Sequence, residues 1–184
     1  RIDAARLFRE LCKALPEEQM LQAFSALAIA CGLPLSSTPP KAYQPMTWDT
    51  ARSLEQQGVT FASHGVTHRI VARMTLDRAK SEMKESWARL KTELSNPLQA
   101  FCFSTGRWSR EFTARELDVL SDSNYQAAIS TDPGYVTFGQ NSSVSHPVVL
   151  TRFTFPDDKT TFVQYCSGIE HMKTWLRTTP FAIL

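Results

Sequence analysis

His64 and His68 stand four residues apart in the stretch FASHGVTHR (residues 61–69), which holds two of the chain's four histidines. Two imidazoles at this spacing can bind one cation if the backbone turns both to the same side. A helical turn does this directly. A strand running into a tight turn does it when a glycine lets the chain bend between the ligands, and Gly65 is placed for that. Ser63 and Thr67 supply hydroxyls that could hydrogen-bond the ring N–H groups and orient the rings. Neutral imidazoles suit zinc, cobalt, nickel or iron better than calcium or magnesium. Two are still too few for a catalytic zinc, which uses about three protein ligands and an open position. The same spacing also recurs by chance in polar turns, so a metal site and a pair of surface histidines both stay open here. His146 falls in a polar stretch and His171 on a helix, and neither makes a second ligand motif.

The elements that would position the pair follow from periodicity. At 184 residues the chain is long enough for one sizeable core. Its 42% hydrophobic and 21% charged composition is that of a globular protein. A net charge of +2 with scattered Lys and Arg argues against nucleic acid as a partner. No apolar run reaches the ~18–20 residues of a membrane span. Cys12, Cys31, Cys102 and Cys166 are widely spaced among apolar neighbours, which predicts buried thiols rather than disulfides or a zinc knot. That usage favours a reducing compartment and leaves an envelope location open.

Apolar residues at helical spacing predict helices over 2–15 and from Pro16 to Gly32, followed by a Pro- and Ser-rich connector over 34–45. An alternation then begins. Helices are expected from Thr47 to Gln57, from Thr75 to Asn96, over 111–121, and from Asp157 or Asp158 through Leu176. Short, mostly uncharged strands are expected at Val59–Ser63, Gln99–Ser104, Tyr125–Ser130 and Val148–Phe155, with a polar loop over 135–147. Helices alternating with such strands predict a parallel sheet covered by helices, either an α/β barrel or an open doubly wound sheet. Both architectures place chemistry where strands end. The histidines follow one strand and Gly106 follows the next.

On those residues the chain resembles a known family. MTWDTARSLEQQGVTFASHGVTHRIVARMTLDRAKSEMKESWARLK, followed by QAFCFSTGRWS, resembles the polysaccharide deacetylases with the NodB-homology domain, carbohydrate esterase family 4. Ser63-His64 and Thr67-His68 match the family's second motif, H-[ST]-x-x-H, in spacing, with Gly65 where Ser or Thr is usual. Phe101 to Gly106 falls where the third motif belongs but lacks its proline. YQAAISTDPG and VLTRFTFPDD resemble later family segments. The resemblance covers roughly residues 43–176. It implies a distorted, incomplete (β/α) barrel, with residues 1–40 as a helical insertion and connector and 41–184 as the C-terminal part of the core.

The resemblance also implies chemistry. Family members hydrolyse acetyl groups, N-acetyl foremost, on sugar polymers. A divalent metal, zinc first, would be held by His64, His68 and an aspartate from a first motif, T-F-D-D, whose other aspartate is the base. That motif is absent from the chain. The simplest expectation is that the motif lies upstream of Arg1. A strand ending of the Leu-x-His type, which brings the acid histidine in many members, is also absent, and His146 is a poor substitute. The backbone near Thr105 or Gly106 is the expected oxyanion donor, and Arg107 is expected to orient a hydroxyl or an aspartate. Trp108 is open between stacking on a sugar and packing at a rim, and Asp132 between reaching the groove and forming a turn. The expected partner is an acetylated polysaccharide or oligosaccharide, for a soluble protein of the bacterial cytoplasm or cell envelope. The alternative is a catalytically impaired relative that binds a glycan or a protein. Without its first strand the barrel would expose sheet edges, which leaves self-association open.

Overall fold

A computed structural model describes residues 2–36, 38–136 and 146–178, with side chains excepted at 2, 14, 17 and 174–178. The chain forms two compact units, residues 1–47 and 48–184.

In the first unit, α1 (Ile2–Ala14) and α2 (Glu17–Ala30) flank Pro16, whose fixed φ of −56° suits the position before a helix. Phe8 and Phe24 meet edge to face at 5.6 Å. Gly32, at φ 64°, closes α2, and the Leu33 N–H reaches back to the Ala28 carbonyl at 2.9 Å. A single 3-10 turn, Lys41–Tyr43, interrupts the proline-rich connector.

The second unit carries the alternation: α3 (Trp48–Gln56), β1 (Ala62–Ser63), α4 (Leu76–Glu93), β2 (Leu98–Cys102), α5 (Ala114–Asp122), β3 (Ala127–Ile129), β4 (Val148–Leu150), α6 (Lys159–Cys166) and α7 (Ile169–Thr178). The four strands form one parallel sheet in the order β1-β2-β3-β4, and among the described residues neither β1 nor β4 pairs with a further strand. Because every strand runs the same way, Ser63, Cys102, Ile129 and Leu150 all end on one edge of the sheet. Ala100 and Phe101, successive residues of β2, are both buried, as expected for a strand covered on both faces.

The core is largely aromatic around β2. Phe103 stacks on Phe112 at 4.2 Å, and Phe101 meets Phe103 at 5.2 Å and Tyr125 at 5.6 Å. Met83 from α4 and Leu120 from α5 pack into the same cluster. Ala51, Leu90 and Leu94 form a second, smaller cluster where α3 meets α4.

The strands are shorter than the sequence pattern suggests, although the Phe103 N–H reaches the Ile129 carbonyl at 3.0 Å and the Ser130 N–H the Leu150 carbonyl at 2.8 Å just past their ends. Thr75 does cap α4, accepting the Arg78 N–H at 3.3 Å. The α5 helix starts at Ala114 rather than 111, set by a capping box between Thr113 and Glu116. The single last helix is two helices, because Gly168 adopts φ 76°, a left-handed conformation that ends α6. Cys12 is buried, but Cys31 and Cys166 are exposed and Cys102 is half-buried, so apolar sequence neighbours did not bury every thiol. Part of the polar loop, 137–145, lies outside the described residues.

Candidate active site

The histidine stretch leaves β1 at the C-terminal edge of the sheet. Gly65 turns the chain at φ 83°, and His68 sits at φ 57°, left-handed as well. The two imidazoles lie edge to face with centroids 4.9 Å apart, and both side chains are exposed. His64 Nδ1 is 2.6 Å from the Cys102 carbonyl oxygen, at the end of β2. A carbonyl only accepts, so Nδ1 carries the hydrogen, and in the neutral ring Nε2 presents its lone pair. A carbonyl on one nitrogen, leaving the other to bind, is a common arrangement around metal-bound histidines.

The turn itself is held by a residue that sequence reasoning passed over. Glu82 of α4 is 2% exposed. Its Oε2 accepts the Val66 N–H at 2.7 Å and the Thr67 N–H at 2.9 Å, and its Oε1 accepts the Thr67 hydroxyl at 2.7 Å. Arg78 lies 3.6 Å away. Burial pulls the Glu82 carboxyl up, but the Thr67 donors, the Val66 N–H and Arg78 outweigh it and hold it below the usual carboxylate range. Thr67 thus orients the turn through Glu82 rather than through a histidine ring. Gly65 is needed for space as well as conformation, since a Cβ there would stand 3.2 Å from Glu82 Oε2. The signal for Glu82 was present in the sequence as a carboxylate inside the apolar stripe of α4, beside Ala79 and Met83.

The segment after β2 forms the opposite wall. Thr105 Oγ1 is buried without a hydrogen-bond partner among the described residues. The Gly106 N–H donates to Thr131 Oγ1 at 3.2 Å, and the Gly106 carbonyl accepts the Thr131 N–H at 2.8 Å. Arg107 is exposed, and its N–H donates to Glu111 Oε2 at 2.9 Å. Ser104 Oγ donates to the Arg69 carbonyl at 2.9 Å, tying this wall to the histidine stretch.

Asp132 resolves as a loop anchor. Its carboxylate accepts the Trp108 N–H at 3.0 Å and its carbonyl accepts the Arg152 N–H at 3.2 Å. Trp108 is 50% exposed and meets Phe112 edge to face at 5.3 Å, which puts the indole on the rim. His146 pairs with Asp118 at 2.8 Å. It precedes β4 and so lies toward the edge opposite the site. His171 on α7 contacts Tyr135 at 5.5 Å.

Among the described residues, no three of His, Cys, Asp and Glu gather as a metal-holding group. The two histidines fit as the nitrogen half of a transition-metal site and not as a complete one. Beside them is a cavity of about 480 Å³ lined by Trp48, His64, Gly65, Ser86, Arg89 and Leu90, large enough for a small ligand group.

A polysaccharide deacetylase family model matches residues 10–128. A deacetylase from Streptococcus pyogenes, solved in complex with acetate, is similar in structure with TM-score 0.54 and 22% identity, covering 68% of this chain and 52% of its own. A polysaccharide deacetylase from Bacillus cereus is similar with TM-score 0.53 and 18% identity, covering 79% of this chain and 47% of its own. The chain therefore spans about half the length of these solved structures. At these identities the likeness is one of fold, an incomplete barrel whose described sheet does not close. No curated protein matches. Among the described residues no helix is long and apolar enough to cross a membrane.

Proposed function

The chain belongs to the polysaccharide deacetylase family, and from that premise we propose that it serves a divalent-metal-dependent hydrolase, zinc first, that removes acetyl groups from a polysaccharide or oligosaccharide. N-acetyl groups are the favoured substrate and O-acetyl groups the second. The observation that carries this reading is the His64 tautomer fixed by the Cys102 carbonyl, with His68 beside it on the C-terminal edge of the sheet. His68 in a left-handed conformation adds to it, since backbone strain tends to gather at functional sites.

In this reading His64 and His68 hold the metal, which when bound supplies an acidified water and a polarised acetyl carbonyl. Glu82 braces the turn that carries both rings, which would hold the metal. The Thr105 N–H is the better oxyanion donor, because the Gly106 N–H is engaged by Thr131. Arg107 stands exposed where it can orient a sugar hydroxyl. The third ligand and the base are roles for a carboxylate pair that residues 1–184 do not contain in T-F-D-D form.

Two measurements test it. Zinc or cobalt uptake by the chain should fall sharply in the His64→Ala, His68→Ala double variant, and unchanged stoichiometric binding would remove the assignment. The product of the full reading frame, with metal supplied, should release acetate from an N-acetylated oligosaccharide.

A second reading is a glycan- or partner-binding relative without hydrolysis. The engaged Gly106 N–H favours it. Binding of the oligosaccharide by the full product without acetate release would select this reading over the first.

A further inference from the structure

Among the described residues, His68 is one of three non-glycine residues with positive φ, at 57°. That conformation is unfavourable for an L side chain and persists only where the surrounding structure fixes the backbone. On the N-terminal side of His68, Glu82 does this by accepting the Val66 and Thr67 N–H groups. On the C-terminal side the fixing groups come from two other elements.

The first is the segment after β2. Ser104 Oγ donates to the Arg69 carbonyl at 2.9 Å, in the residue directly after His68. Two residues before Ser104, the Cys102 carbonyl receives His64 Nδ1. The short stretch 102–104 therefore touches the ring of one histidine and the chain beside the other. Gly106 lies outside this tie, since its N–H and carbonyl both go to Thr131.

The second is α5. Arg115 Nη2 donates to the Val71 carbonyl at 3.2 Å and the Met74 carbonyl at 3.3 Å, at the start and just past the end of the 3-10 turn Val71–Arg73. The Val71 side chain is buried in the aromatic core, so the turn is anchored there as well. Arg115 is itself held by Glu116, whose Oε1 accepts its Nε–H at 2.5 Å. Glu116 is fully buried, and its Oε2 accepts the Thr113 N–H and hydroxyl at the start of α5. One guanidinium can serve a carboxylate and two carbonyls because its five donors lie in a rigid fork.

We propose that Ser104 and Arg115 are positioning residues for His68. Together they hold the chain that follows it, so that its backbone stays left-handed and its imidazole stays beside that of His64. Both act through the backbone. This deepens the reading in which the histidine pair holds a metal, and it rests on that reading only for the effect on metal uptake.

NMR of the metal-free chain tests the positioning, and zinc titration of the same samples tests its consequence. In the unaltered chain the HN–Hα coupling of His68 should report left-handed backbone. The two rings, with centroids 4.9 Å apart, should give an inter-ring nuclear Overhauser effect. In Ser104→Ala the coupling should shift, the inter-ring effect should weaken, and zinc affinity should fall about 10-fold, as when a group that orients a ligand is removed. Ser104→Thr keeps the hydroxyl and should behave as the unaltered chain does. Arg115→Lys keeps a cation beside Glu116 but loses the fork, so the chain should fold while His68 shifts as in Ser104→Ala. The ring nitrogen shifts of His64 should keep the Nδ1–H tautomer throughout, because the Cys102 carbonyl is untouched. An unchanged His68 coupling in either Ser104→Ala or Arg115→Lys would overturn the proposal. So would the same loss in Ser104→Thr as in Ser104→Ala, or a His64 tautomer lost along with the His68 signals, which marks general loosening. If the unaltered chain takes up no zinc through its histidines, yet the coupling shifts in both variants, the metal reading falls and the positioning stands.

Discussion

The turn after β1 and the segment after β2 face each other across one edge of the sheet, yet they satisfy their backbones in different ways. Between the histidines, the Val66 and Thr67 N–H groups go to the Glu82 carboxylate, which comes from a helix behind the turn. The imidazoles are left exposed, and one has its tautomer set. After β2, the Gly106 N–H goes to the Thr131 hydroxyl and its carbonyl to the Thr131 N–H, both within the edge itself. One wall is braced from behind and presents its chemistry outward. The other is braced by its neighbour and directs one of its two candidate donors inward. In the proposed reading, the histidine wall is thus better prepared to hold a metal than the β2 wall is to hold an oxyanion.

The largest expected effect comes from removing the rear brace. Glu82→Ala would leave two N–H groups, a hydroxyl and Arg78 without their acceptor, at a cost of about 3–5 kcal/mol. Urea unfolding should show this loss, and metal uptake should fall even though both histidines remain. A loss under 1 kcal/mol would mean that the turn holds itself. The same brace can be weakened by acid. The Glu82 carboxyl is lower in the folded chain than its usual value of about 4.3. The folded state therefore binds that proton less readily than the unfolded one. The stabilisation is complete above the usual value and is lost as pH falls through the lower folded value. The stability gap between the unaltered chain and Glu82→Gln should be flat above about pH 5 and should narrow below about pH 4. A gap that widens on acidification would reverse the sign assigned here.

The β2 wall responds to crowding rather than to charge. A Cβ at Gly106 would stand 2.5 Å from the Cβ of Phe103, which is fully buried and stacked on Phe112. Neither ring can move without disturbing the aromatic core, so Gly106→Ala should cost about 1–3 kcal/mol. Its metal uptake should stay unchanged, in contrast with Glu82→Ala, and a matching loss of uptake would show that the two walls are not independent.

How much of this could be read in advance depends on the range of the interaction. The alternation of helices and strands, the Thr75 cap and the bend at Gly65 are local, and the sequence pattern carried them. The strand read at Val59–Ser63 carried the histidine pair to the sheet edge. Strand ends and the break at Gly168 are not local in this sense. A ladder stops where its partner strand stops, and whether a glycine turns left-handed depends on how the next helix packs. The bracing of the site was not legible. Glu82 to Thr67, Cys102 to His64 and Asp132 to both Trp108 and Arg152 span 15 to 38 residues of sequence, and no local pattern fixes them. Of these only Glu82 left a trace, as the one charged residue on the buried face of its helix.

The smallest effect gives the finest test of the contrast between the walls. Thr131→Val keeps the shape of the side chain and the Thr131 N–H, but removes the oxygen that accepts from Gly106. Loss of one such bond should cost about 0.5–1.5 kcal/mol. The informative quantity is turnover by the full product under metal. If the Thr105 N–H is the oxyanion donor, freeing its neighbour changes little, and kcat should stay within about 2-fold. If the Gly106 N–H is instead held back by Thr131, releasing it should raise kcat by about 10-fold or more, since a single oxyanion donor can be worth that much. The first outcome is expected, because freeing the Gly106 N–H does not re-aim it, and the Phe103 contact that fixes Gly106 remains.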